Sequence, residues 1–590
     1  LGKLKAGNFY NVAIGTKDNV GTATIAGVAS GNLPKYTSVM TKGKIDITGA
    51  VNGTSGDTLA LHADAPGAVL GDGLSQSAPI EVGNLLLLGK GSMDLSTQAN
   101  KIENIAADMS DGDLKLKNQT NMTVAVVENR TVTPKVDVDG LKAKSMDIKM
   151  DGGKKLTVAA AMNSTDDTSI EADDLDLGSG KLTVGKKLTL EKATKSQTIN
   201  IGTGAGDWNI NNASYGEIKI GGASQTGNIN IKGATFKKPS DIETTGDVTL
   251  TGATKAGADG KSDMTIKAHA ATLPTADDTL AVKNLTLDLS GGLDLGHGKV
   301  KGAADGKITI KGASASQDIV ISDNASHASG GEYRIAYRTI NETLEGFKGF
   351  DVAGEKHVYF YGGSVKKSIN ASGKLGVEVR DNLTIEGEGT KLTVGSEPPT
   401  SGPMPETVIT GGFTVNSGKS VTVKGKGAEI DINTQDNIHL NQNSALKVEG
   451  DGAKVTLKSR AGDAILNDDA KVQVVSGSPV HVDVTANKLQ LGARAQLDSG
   501  TDTVGALRVH TDEIVTPAAE DNTTNIVGKS GLVITRKTAG DLTLNSSATG
   551  AGLHITSDQL NGKLFGNQFS ELVLGDNRSQ TVTIDGLEAN

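Results

Sequence analysis

Short triplets written apolar, polar, apolar recur along most of this chain, and no other feature constrains its fold as tightly. Instances are Leu182-Thr183-Val184, Leu188-Thr189-Leu190, Ile199-Asn200-Ile201, Trp208-Asn209-Ile210, Ile218-Lys219-Ile220, Ile229-Asn230-Ile231 and Val248-Thr249-Leu250. Strand side chains alternate between faces, so each triplet buries its outer pair and leaves the middle Thr, Asn, Asp or Lys in water. Between triplets stand Gly, Asn, Asp and Ser, as in Gly202-Thr203-Gly204-Ala205-Gly206-Asp207. These residues permit positive φ and sharp turns. Turns this frequent leave no room for helices.

From Phe413 the apolar positions continue at Val421, Ile430, Ile438, Leu446, Val455, Ala464, Val472, Val480 and Leu489, a step of about eight residues. A strand of three residues cannot bury its apolar side in a hairpin alone. Strands stacked at about 4.8 Å, however, place each one in register with the next. The expected fold is therefore all-β, a right-handed parallel β-helix with roughly three short strands per coil. Coils of roughly 25 residues make roughly 20 to 25 turns, an elongated rod on the order of 100 Å long.

Such a core must be thin, and the composition agrees. Phe, Tyr and Trp together make up 3% of the chain while glycine supplies 76 residues, so small aliphatic side chains carry the packing. Hydrophobic residues at 36% and charged residues at 22% are too apolar and too well mixed for a disordered tail. The net charge is −10, and no basic run is interleaved with aromatics, which argues against nucleic-acid binding. Without cysteine there is no disulfide, zinc thiolate or cysteine nucleophile. The longest apolar run, Leu85-Leu86-Leu87-Leu88, falls far short of a membrane span. The chain opens on Leu1 without a charged and apolar leader, and is read as an internal piece of a longer protein.

A longer repeat overlies the short one. Leu4, Phe9, Val12, Ile14 and Gly15, followed by Thr24-Ile25, align with Leu564, Phe569, Leu572, Leu574 and Gly575, followed by Thr583-Ile584. A weaker copy runs through Leu344, Phe347, Phe350 and Val352 to Tyr359-Phe360. The expected division is a block over 1–340 and a second over 341–590, both part of one continuous rod. Between 326 and 363 the rhythm loosens and aromatics gather, including Tyr333, Tyr337, Phe350, Tyr359 and Tyr361. A cap, bulge or lateral contact is expected there. The segment Glu397–Pro405 holds four of the twelve prolines and reads as a loop leaving the shaft.

No residue is assigned a catalytic, cofactor or metal role. The acidic pairs Asp166-Asp167, Asp173-Asp174, Asp277-Asp278 and Asp468-Asp469 could bind calcium or act as acid and base, but neighbours on a strand face apart and the pairs read as turns. No tandem Gly-Gly-x-Gly-x-Asp run supports calcium. Histidines stand singly at His62, His269, His297, His327, His357, His439, His481, His510 and His554, without the spacing of a metal pair. The Gly202–Gly206 loop precedes no helix, so it lacks the amide nest that holds phosphate. The sequons Asn118-Gln119-Thr120, Asn121-Met122-Thr123 and Asn129-Arg130-Thr131 could accept sugar. The triplets' variable middle residue does not make the Thr lattice of an ice-binding face.

Two segments carry a family resemblance. Ala99-Asn100-Lys101-Ile102-Glu103-Asn104-Ile105-Ala106-Ala107-Asp108-Met109-Ser110-Asp111-Gly112-Asp113-Leu114-Lys115-Leu116 is similar to an N-x-I-x-x-L-A-A-x-x-x-G-x-L-x-L coil, and Gly566-Asn567-Gln568-Phe569-Ser570-Glu571-Leu572-Val573-Leu574-Gly575 to a G-F-S-x-I-x-I-G coil. Both resemble the repeat regions of filamentous-haemagglutinin-like giant bacterial exoproteins, which include secreted adhesins and the stalks of contact-dependent inhibition toxins. The resemblance implies two-partner or autotransporter export, display at the bacterial cell surface, and a non-enzymatic role as the structural or adhesive shaft of a fibre or coat. Expected partners are neighbouring coils of the same chain, identical rods met sideways or end to end, and a host-cell, other-cell or carbohydrate surface. The rival expectation is a polysaccharide-acting β-helix enzyme, a lyase or hydrolase, which needs a cleft of acidic and basic residues on one sheet face.

Overall fold

The computed structural model describes residues 9–585, apart from 66–69, 110, 129, 131–136, 179–180, 275–277, 295–297, 313–316, 328–332, 396–410, 517–524, 546–551, 558, 560–563 and 566–568. The proline-rich segment 397–405 lies outside the described residues. The protein is all-β: short strands follow one another along the chain. Every strand pair with a described register is parallel except Val126–Val127 with Val138–Asp139. One expectation fails locally. A six-residue α-helix, Tyr337–Glu342, forms in the aromatic-rich segment, where it buries Tyr337 and Ile340.

By contact the chain divides into two compact units, residues 1–283 with 294–300, and 284–293 with 301–590. In the first unit, Ile148, Ile170, Leu190, Ile220, Ile242 and Ile266 occupy one register line across six successive parallel strands. None of the six is more than 1% exposed, so the line is a continuous apolar strip. The outward neighbours pair their charges between strands: Lys219 and Lys267 flank Glu243 at 2.6 and 3.4 Å. Six of the seven triplets are strands. The exception, Trp208–Ile210, forms only an isolated bridge from Trp208 to Ile201, although Trp208 itself is buried beneath the Lys192 ammonium.

In the second unit the strands fall into three columns, and for most of its length each strand pairs with the third one along the chain. Phe413 meets Ile438, then Ala464, then Leu489. Val421 meets Leu446, Val472 and Leu497, and Ile430 meets Val455 and then Val482. All of these side chains are fully buried. The step of about eight residues is thus one third of a pairing period of about 25. One position slips: Val480 pairs with Gly505, and the partner of Val455 lies two residues further on, at Val482. Within the aromatic-rich segment, the strand Ile319–Ile321 pairs with both Tyr333–Ile335 and His357–Phe360.

Two asparagines inside the first unit are satisfied locally. Asn100 and Asn118 are fully buried and paired in register. The Asn100 side-chain oxygen accepts from the Ile80 amide at 2.9 Å, and its Nδ2 donates to the Leu95 and Lys117 carbonyls at 2.8 and 3.0 Å. Asn118 repeats the arrangement on Ile102, accepting from its amide at 2.8 Å and donating to its carbonyl at 3.0 Å. Each amide closes backbone groups that the ladder leaves open where the chain bends. The long repeat has a matching structural sign: the strands Asn11–Gly15 and Glu571–Leu574 each run into a glycine at positive φ, 77° for Gly15 and 85° for Gly575. At Gly15 a Cβ would collide with the Met40 carbonyl.

Two half-buried histidines link the second unit to pH. Burial pushes His439 below its ordinary value of 6.5. Burial does the same for His510, with the Arg578 guanidinium adding to it and Asp483 and Asp576 opposing. The fold therefore favours the neutral rings, and their stabilisation is complete above the unfolded value near 6.5 and lost as pH falls through the lower folded values. Thermal melts should show the second unit's melting temperature falling between pH 7.5 and pH 5; a melting temperature that is constant or rises over that range contradicts it.

Candidate functional site

The outward faces of the second unit carry charged groups that the ladder does not use. Three stacked strands, Ala464–Leu466, Leu489–Leu491 within Val480–Leu491, and Glu513–Val515 within Gly505–Val515, continue one column of the second unit. No described strand pairs over Glu513–Val515; instead Leu553–Thr556 lies against Gly505–Val515. The break in the column leaves a cleft of about 660 Å³, within the usual size of a small-ligand site.

One wall of the cleft is a column of alternating charge. Asp463, Lys488 and Glu513 each immediately precede an inward-facing residue, and Lys488 pairs in register with Glu513, their charged atoms 3.0 Å apart. The Glu513 carboxylate holds Lys488 above its ordinary value, and Asp463 adds to this. Deeper in, the Arg536 guanidinium is buried and fixed by the Asp512 carboxylate at 3.2 Å and the Asp541 carbonyl at 2.9 Å. Glycine makes room for it: a Cβ at Gly540 would run into the guanidinium, and one at Gly552, whose φ is 124°, would sit 2.7 Å from the Asp541 carbonyl oxygen.

Burial alone would raise the Asp512 carboxyl, but the amide and hydroxyl of Thr538, at 3.0 and 2.8 Å, and then Arg536 hold it below the usual carboxylate range. Beside the cleft, the Lys537 ammonium donates to the Ser459 and Arg460 carbonyls and to Asn487 Oδ1 at 3.0, 2.6 and 2.7 Å, tying successive strands together. Burial lowers its pKa, opposed by Asp512 and Asp463. His554 and Gln559 close the far side. Among the described residues neither ring nitrogen of His554 has a hydrogen-bond partner.

A second outward cluster occupies the aromatic-rich segment. His327 stacks on Tyr361 with centroids 4.1 Å apart, and His357 stacks on Tyr359 at 5.3 Å. The Arg380 guanidinium lies 3.6 Å over Tyr359 and donates to the Tyr361 hydroxyl at 2.7 Å. Each of these rings is already stacked on a neighbour or on Arg380, while His357 and Arg380 stay about a third exposed. Tyr333 and Tyr337 point inward; burial raises both phenols, and among the described residues neither hydroxyl has a partner.

Of the acidic pairs, Asp166-Asp167 lies in a turn, and Asp469, at φ 61°, holds Arg494 at 2.7 and 2.6 Å. Asp277 lies outside the described residues. Asp173 is more than a turn residue: it is 7% exposed, and its carboxylate accepts from the Gly153 amide, from the Thr194 amide and hydroxyl, both at 2.6 Å, and from Gln197 at 3.2 Å. Burial raises its pKa, yet these bonds carry it below the ordinary value. His297 lies outside the described residues. Among those described, no three His, Asp or Glu side chains gather as a metal site would need, and no helix is long and apolar enough to cross a membrane.

No known family, curated protein or solved structure matches the chain.

Proposed function

We propose that each unit is a right-handed parallel β-helix, and that the chain serves as a rigid structural or adhesive shaft of a giant bacterial surface protein. The observation that carries this reading is the pairing of each strand with the third one along, with buried aliphatics repeating on the same line through every period. A parallel ladder built this way adds stiffness with each coil, and each coil contacts only its neighbours. Parallel connections within one sheet are overwhelmingly right-handed.

Electron micrographs of intact cells carrying the parent protein test the proposal. Narrow projecting rods, single, bundled or as a coat, are expected, and their absence from cells that express the protein would refute it. The polar cleft favours a second reading, a polysaccharide-acting enzyme, because acids, a lysine and an arginine converge there. Turnover of polysaccharides by the purified chain would establish that reading. Asp512 argues against it, because its carboxylate is committed to Thr538 and Arg536 rather than free to act on a substrate.

A further inference from the structure

We infer that the cleft between strand Gly505–Val515 and strand Leu553–Thr556 binds a neutral, hydroxyl-rich saccharide, a segment of a cell-surface glycan. The argument rests first on charge. Lys488 faces Glu513, and Arg536 faces Asp512, so both cations are already matched by carboxylates. An anionic ligand would meet Asp463 and Glu513, and a cationic one Lys488 and Arg536, each at a cost. With three carboxylates against two cations, the walls disfavour an anion and set donors beside acceptors, the pattern that vicinal sugar hydroxyls satisfy.

Preorganisation is the second argument. Arg536 is 9% exposed and anchored on two sides, so little ordering remains to be done when a ligand arrives. Ile514, 8% exposed, is the apolar side chain that reaches the cleft wall beside the polar groups. His554 brings a ring with no hydrogen-bond partner among the described residues. The volume of about 660 Å³ admits more than a single sugar ring.

This inference stands on the geometry of the second unit alone and goes beyond the shaft reading. Rods that bind no sugar would sink the inference and leave the shaft intact; a sugar-binding chain that forms no rods would do the reverse. The test is an array of defined neutral, uronate-containing and sialylated oligosaccharides, probed with the whole chain and with Lys488→Ala and Glu513→Ala. Both substitutions lie on the outward column, and circular dichroism and melting temperature confirm that each variant is folded. The expected result is retention of neutral glycans, weakened at least tenfold in both variants. No retention, a preference for acidic glycans, or retention unchanged in both folded variants would overturn it.

Discussion

Replacing Asn100 with alanine is expected to destabilise the first unit by about 2 to 6 kcal/mol, because at least two buried backbone groups lose their partners at about 1–3 kcal/mol each. The groups at stake are the Ile80 amide and the Leu95 and Lys117 carbonyls, all bonded to one side chain that is fully buried. Asn100→Asp keeps the accepting oxygen but loses the donor and buries a charge, so it should not rescue. Chemical denaturation followed by circular dichroism measures the change. A loss below about 1 kcal/mol in the alanine variant would mean that water replaces the amide, and that the Asn100 and Asn118 pair is not what closes the bend.

The second large effect is a contrast between neighbours. Leu446 and Val448 are fully buried, while Lys447 between them faces outward. Leu446→Asp places a carboxylate between Val421 and Val472 on the same register line and should cost about 4 kcal/mol or more. Lys447→Asp, one residue away, should stay within about 1 kcal/mol. Equal effects from the two substitutions would show that the alternation of faces is not what holds the column together. Denaturation midpoints of the two variants at constant slope decide the matter.

Much of the fold was legible because the same short pattern is written many times. Phe413, Ile438, Ala464 and Leu489 were readable as one series from spacing alone, and they pair in that order. The series misplaces Val480 because a turn can lengthen by two residues without altering the apolar, polar rhythm on either side. The Trp208 triplet fails for a related reason: a buried aromatic satisfies the pattern without joining a ladder. The helix at Tyr337–Glu342 went unread because six residues are too few to display a helical period.

The cleft was not legible. Lys488 and His554 lie on separate strands and Arg536 just past the end of a third, brought together by a column that stops, and nothing in the spacing of single residues says where pairing will cease. Asp173 was read as a turn residue because it adjoins Asp174; its burial depends on Thr194 and Gln197, which lie on a later turn. The Asn100 role does have a local signal, an Asn at the first position of the coil pattern just before Ile102 and Ile105, which resemblance alone could flag.

Cryo-electron microscopy of the purified chain tests the winding most directly. Strands that stack on one line around a common axis require, within each unit, an axial repeat of about 4.8 Å. Units that lack that repeat would contradict a parallel β-helix, whatever the strand content.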